Sequence, residues 1–220
     1  MKYRTVIFDV DGTLFDTSPG IFKCIEFVLK NMHYDSIDEK ELRKFIGPPV
    51  YESFLNICKM TDKEAETATQ MYRSAYVEQF IGLSKLYDGI EALLKKLKSE
   101  GVKLCIATMK TQPQIEKLLS IFNLTDTFDV VASASVNVKK SKSDIINEVL
   151  KATNTGCKDA VMIGDSIYDA VGAKQSGTDF VAVSYGFGIS SEQQLKDAEM
   201  EYNYYAGNVE MLCEYLSCLS

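Results

Sequence analysis

Two aspartates two residues apart, Asp9 and Asp11, close the apolar run Thr5 to Phe8 and are followed by Gly12-Thr13. Ionised carboxylates beside an apolar segment need partners, because leaving such a charge unpaired away from water is costly. Three other stretches carry polar groups where apolar runs stop. KLCIAT ends at Thr108, with Met109 and Lys110 next; AVMIG ends at Gly164-Asp165, with Asp169 four residues on; and Lys139, Lys140 and Lys142 precede Asp144. Together this set suits phosphoryl transfer through a carboxylate. Asp9 and Asp165, with Asp169 as a further candidate, offer the hard oxygen ligands that magnesium (Mg2+) takes. A carboxylate can attack phosphorus. Asp11 can protonate the leaving oxygen and later deprotonate the attacking water. Gly12, Thr13, Thr108, Met109 and a lysine are the candidates to hold and neutralise the phosphoryl oxygens.

The elements that must position these groups follow from hydrophobic periodicity. Residues 18 to 82 read as helix throughout. Ser18-Pro19 is a helix start, Gly47-Pro48-Pro49 a stop, and Thr61 with Glu64 a capping box. From residue 85 the pattern changes to short apolar strands (Lys103 to Thr108, near Phe128 to Ala132, Ala160 to Gly164, Phe180 to Ser184) alternating with amphipathic helices. That alternation predicts an α/β fold, a Rossmann-like parallel sheet covered by helices on both faces, with four helices inserted after the first strand. The expected division is a core of residues 1–16 and 85–220 and a cap of residues 17–84. Ligands of such sheets bind beyond the carboxyl ends of the strands, which is where the acids, the hydroxyl and the lysines fall.

Composition narrows the function class. A formal charge of -7 on 220 residues argues against nucleic-acid or anionic-membrane partners, which call for a basic face. It also means that a small anionic substrate must be drawn in by local cations or a metal. The six cysteines are scattered without zinc-ligand spacing, as expected of free thiols in a reducing compartment. The single histidine, His33, makes histidine-based nucleophilic catalysis a poor fit. No apolar h-region precedes the first strand and no run of about 18 apolar residues occurs, so a cytoplasmic protein is expected.

The motifs FDVDGTLFD, IATMK, SKSDII and IGDSIYD, in that order, resemble the haloacid dehalogenase-like hydrolase superfamily over essentially the whole chain. Within it, FIGPP, LYDGI and SYGFG resemble the phosphoglycolate-phosphatase-like branch with a helical cap. The resemblance implies a magnesium-dependent phosphatase acting on a small phosphorylated metabolite through an aspartyl-phosphate, phosphoglycolate phosphatase-like or 5'-nucleotidase-like, as a monomer or weak homodimer. It implies Asp9 as nucleophile and Asp11 as general acid/base and, through its backbone carbonyl, metal ligand. Thr108 becomes the phosphate-binding hydroxyl, Asp165 a metal ligand, and Asp169 a further ligand or one acting through water. Lys142 fits the active-site lysine best, although S-K-S-D departs from the commoner K-P form and leaves Lys139 and Lys140 in contention. A sugar-phosphate mutase of the β-phosphoglucomutase type is the alternative, disfavoured because Pro48-Pro49 stands where such proteins carry Ser-Arg. A non-catalytic regulatory member is disfavoured by the intact Asp9 and Asp11. For Arg43 and Arg73, in the helical segment, a solvated helix face is expected over contact with a substrate carboxylate or phosphate.

Overall fold

The computed structural model describes residues 2–135 and 140–218. The chain opens with strand β1 (Thr5–Phe8), buried at every position. The two-residue strand β2 (Phe15–Asp16) follows, and then the helices α1 (Ser18–Asn31), α2 (Glu39–Arg43), α3 (Val50–Asn56) and α4 (Asp62–Ala75). Helix α4 starts on the capping box of Thr61 and Glu64 and runs into a π-helical turn, Tyr76–Phe80. The chain returns through β3 (Lys85–Leu86), which pairs antiparallel with β2.

From there helices and strands alternate: α5 (Ile90–Ser99), β4 (Lys103–Thr111), α6 (Gln112–Ile121), β5 (Val130–Ala134), α7 (Lys142–Thr153), β6 (Ala160–Gly164), α8 (Ile167–Ser176) and β7 (Asp179–Val183). Helix α9 (Glu192–Asp197), strand β8 (Tyr204–Ala206) and helix α10 (Val209–Ser217) complete the described chain. Six strands form one sheet in the order β5-β4-β1-β6-β7-β8, all pairs parallel. The central strands β1 and β6 are apolar at nearly every position because both faces are covered by helices, which removes the usual alternation. The two core clusters lie on opposite sides of the sheet: Val6 and Phe8 belong to one, Ile7 to the other. Among the described residues no helix is long and apolar enough to cross a membrane.

Three details differ from the periodicity reading. Strand β4 does not stop at Thr108 but continues to Thr111 through a shift of register against β5. The cap position of α1 falls on Thr17 rather than Ser18, and the Thr17 side chain does not cap the helix. Elements α9 and β8 carry too little apolar periodicity to be read locally: α9 is EQQLKD with Leu195 alone buried, and β8 is an edge strand ordered by β7.

Candidate active site

Strand β1 lies between β4 and β6, and successive connections leave it in opposite directions along the sheet. A crevice opens at the carboxyl end of such a reversal point. Asp9 follows directly on β1, Asp165 directly on β6, and Thr108 lies within β4, so three adjacent strands deliver polar groups to one place. Asp169 arrives from the first turn of α8, and Lys142 is the first residue of α7.

Carboxylate oxygens of Asp9, Asp165 and Asp169 lie within 4.8 Å of one another, and all three residues are buried. Lys142, itself buried, donates to Asp9 Oδ1 at 2.6 Å and pairs with Asp169 Oδ1 at 2.7 Å. One ammonium thus serves two acids, and a third stands beside them. Burial raises the Asp9 carboxyl to about 7, Lys142 opposing and Asp169 and Asp11 adding to the rise. Burial, then Asp169 and Asp9, likewise push Asp165 up, against the N–H groups of Phe187 and Gly188. Burial alone would lower the Lys142 ammonium, but Asp169 and Asp9 outweigh it and hold its pKa above the usual value. The two partners are raised for different reasons, Asp9 chiefly by burial with the neighbouring acids adding to it, Lys142 by those acids against burial.

Each acid is held by its surroundings. Asp169 Oδ2 accepts from the Ser166 hydroxyl at 2.6 Å and the Ser166 N–H at 3.1 Å, so this acid also caps α8. Asp165 Oδ2 accepts from Phe187 N at 2.6 Å and Gly188 N at 3.2 Å. That loop approaches so closely that a Cβ on Gly186 would lie 2.3 Å from the Gly12 carbonyl oxygen and 2.4 Å from Asp165 Oδ2. Asp11 Oδ1 pairs with Lys110 at 2.8 Å and also receives the Thr17 hydroxyl. The buried Lys110 lies 3.4 Å from the Tyr76 hydroxyl and 4.8 Å from the centroid of that ring. It therefore links β4, Asp11 and the π-turn after α4.

The remaining sequence candidates are placed as follows. Thr108 is fully buried, and its hydroxyl oxygen accepts from Lys110 N at 3.1 Å, keeping its own proton to donate. Met109 lines the crevice. Gly12 and Thr13 are not presented to a phosphate by their N–H groups: Gly12 N donates to Phe15 O at 2.9 Å and Thr13 N to Val10 O at 3.4 Å, closing the turn. Gly12 has φ 73°, which only a residue without a Cβ adopts readily. The Thr13 hydroxyl is buried without a partner. Lys140 pairs with Glu148 at 2.7 Å, and Lys139 lies outside the described residues. Lys110, noted at the end of KLCIAT but given no role, Thr17 and the Gly186–Gly188 loop were not among the site residues expected from the sequence. A lysine inside the otherwise apolar and hydroxyl-bearing run KLCIATMKT was the available signal for the first.

Two cavities meet here. A pit of about 30 Å³ is lined by Asp9, Asp11, Lys142, Asp165 and Asp169. A larger cavity of about 430 Å³ lies between the α1–α4 helices and the β4 end of the sheet, and shares Asp11, Ile46, Gly47 and Met109 with the pit. Pro48 and Pro49 contribute to its wall as well as stopping the preceding helical segment. Of the two arginines, Arg43 is exposed and paired with Glu39 at 2.6 Å. Arg73 is half-buried and lines the larger cavity, contrary to the solvated helix face expected of it.

Comparison with known proteins identifies the family. The family profile for haloacid dehalogenase-like hydrolases matches residues 6–183. A 5'-nucleotidase of Pseudomonas aeruginosa is 29% identical over 193 residues, 87% of each chain. The tyrosine-protein kinase PtkA of Mycobacterium tuberculosis is 33% identical over 84% of this chain, which spans 63% of that protein. Among solved structures, a predicted phosphatase from Clostridium acetobutylicum superposes with TM-score 0.89 at 35% identity, covering 99% of both chains. A haloacid dehalogenase-like hydrolase from Streptococcus pneumoniae gives TM-score 0.87 at 29% identity, covering 97% of this chain and 99% of that one. With a profile that spans most of its length, the chain belongs to the haloacid dehalogenase-like hydrolase family.

Proposed function

We propose that the protein is a phosphatase that hydrolyses a small phosphomonoester through an aspartyl-phosphate on Asp9. The observation that carries this reading is the convergence of three buried carboxylates with Lys142 on Asp9 and Asp11 alongside. Lys142 holds Asp9 by Oδ1, so the carboxylate is oriented for attack on phosphorus. As the Asp9–phosphorus bond forms, the bond to the leaving oxygen breaks and Asp11 supplies that oxygen with a proton. Water then attacks phosphorus and gives a proton to Asp11, and the bond between Asp9 and phosphorus breaks, releasing phosphate. Lys110 and Thr17 position Asp11 by one carboxylate oxygen, and the phosphoryl oxygens are assigned to Met109, which lines the pit, and to the buried Thr108 hydroxyl next to it in the chain.

The donor set fits Mg²⁺: three buried carboxylates lie together with one lysine that pairs with only two of them, which leaves an excess of hard oxygen donors and negative charge. Asp9, Asp165 and Asp169, with the Asp11 backbone carbonyl, are the residues that would hold it. When bound, the cation supplies the positive charge that lets a phosphate approach so many carboxylates.

The test is turnover of p-nitrophenyl phosphate by purified protein with Mg²⁺, compared with the same protein in EDTA and with Asp9→Asn. Mg²⁺-dependent turnover lost in the variant supports the reading. Absent turnover, or turnover indifferent to chelation or to Asp9→Asn, would falsify it. The relative PtkA is named a kinase. ATP-dependent phosphorylation of a protein acceptor without p-nitrophenyl phosphate turnover would therefore put transfer to a hydroxyl in place of transfer to water.

A further inference from the structure

The larger cavity contains a charge that the chemistry at Asp9 does not use. Its described lining includes the cations Lys110, Lys140 and Arg73. Lys110 is paired with Asp11 and Lys140 with Glu148. Arg73 has no acid within ion-pair distance among the described residues, and burial lowers its guanidinium pKa. The helix that carries it is held from below. Tyr72, the residue before it on α4, is buried and stacks on Tyr76 at 5.4 Å, and Tyr76 in turn touches Lys110. Arg73 is thus carried by an anchored stretch of helix, partly desolvated and lining the same space as Asp11. Around it the wall is largely apolar, with Phe45, Pro48, Val50 and Tyr72. An arginine in such a setting gains most from an anion with planar or tetrahedral oxygens, which its fork can take bidentately. The volume, about 430 Å³ against roughly 30 Å³ for one water, leaves room for a leaving group of several heavy atoms.

We propose that Arg73 binds a second anionic group, a carboxylate or a further phosphate, carried by the alcohol half of the substrate. The substrate class is then a phosphomonoester whose leaving group bears its own negative charge, not a neutral sugar or nucleoside. This inference rests on the phosphatase reading, which places the leaving group in the cavity beside Asp11. It also accounts for how a chain of charge -7 gathers a multiply charged anion: Lys142 lies at the phosphoryl end and Arg73 at the other.

The experiment measures kcat/KM with Mg²⁺ for 3-phosphoglycerate (a carboxylate), ethylene glycol bisphosphate (a second phosphate) and glycerol 3-phosphate (neutral beyond its phosphoryl group). The wild-type protein is expected to prefer at least one anionic probe over the neutral one by about tenfold or more, and the preferred probe identifies the source of the anion. Arg73→Gln should bring that ratio close to one, Arg73→Lys should keep part of it, and Arg43→Gln should leave it unchanged. No anionic preference in the wild type, or a preference that survives Arg73→Gln, overturns the inference while the phosphatase reading stands. Equal losses on all three probes in both Arg73 variants would assign Arg73 to the fold and overturn it too. Wild-type protein that turns over none of the probes and no p-nitrophenyl phosphate would overturn the inference together with the reading beneath it.

Discussion

The pit at the strand ends holds about 30 Å³, and Lys142 there pairs with Asp9 and Asp169; the neighbouring cavity holds about 430 Å³ and keeps an arginine with no acid at ion-pair distance among the described residues. In the pit every carboxylate has fixed donors: Lys142 for Asp9 and Asp169, the Phe187 and Gly188 N–H groups for Asp165, Lys110 and Thr17 for Asp11. Those donors still leave the pit over-supplied with negative charge. The larger cavity is the reverse, apolar in much of its wall and carrying an unspent positive charge. The difference separates two demands. Chemistry on phosphorus is the same for every substrate, so its groups can be locked in place beforehand. Selection among leaving groups needs space and a charge that stays unpaired until the ligand supplies its partner.

Four outcomes would sharpen this contrast or break it. Asp9→Asn should reduce p-nitrophenyl phosphate turnover by roughly 10⁴-fold, the scale seen when a covalent nucleophile is removed; a tenfold loss would mean that the locked pit is not where the bond is made. Lys110→Met should lower kcat for an alkyl phosphate by roughly a hundredfold, the scale of general acid catalysis. The same variant should lose less on p-nitrophenyl phosphate, whose leaving group needs little protonation. Equal losses on both would remove Lys110 from any role in positioning Asp11.

Gly186→Ala should destabilise the protein by about 2 kcal/mol in a denaturant titration, because the new methyl meets a backbone oxygen and a buried carboxylate. An unchanged midpoint would show that the loop around Asp165 yields easily. A further expected effect is on pH. Burial raises Asp9 from 3.8 to about 7, so the folded state holds a proton that the unfolded chain releases. The stability that Asp9 contributes in its protonated form is therefore lost as pH rises from about 4 through about 7. Without metal, the melting temperature of the wild type should fall relative to Asp9→Asn across that window, by roughly several degrees. Added Mg²⁺ should raise the wild-type value more above the window than below it. A difference independent of pH would show that the negative charge of the pit is already compensated.

Much of the pit was legible because its residues sit where local patterns end. An apolar run that stops at Asp9, another that stops at Asp165 and a capping sequence around Ser141 and Lys142 mark strand ends and a helix start. In a parallel sheet those ends share one edge. Harder to read were contacts made by backbone or by long side chains crossing between elements. The Phe187 and Gly188 N–H groups leave no residue-type signature for the task of holding Asp165, and α9 and β8 form against a sheet edge with little periodicity of their own.

The two arginines of the helical segment divide what the sequence by itself determined from what tertiary structure decided. Both lie on amphipathic helices, and for both a solvated face was the local expectation. Periodicity tells which side of a helix faces apolar neighbours, and it was enough to establish the order of the central strands and main helices, with the carboxylate pair and the lysine candidates at their ends. It does not tell what lies opposite a polar position. Arg43 turned out to face Glu39 one turn away, a contact written in the chain. Arg73 turned out to face a cavity whose other wall comes from β4 and its flanking residues, far away in sequence. Whether a charged side chain is solvated or waiting for a ligand depends on the packing of elements distant along the chain.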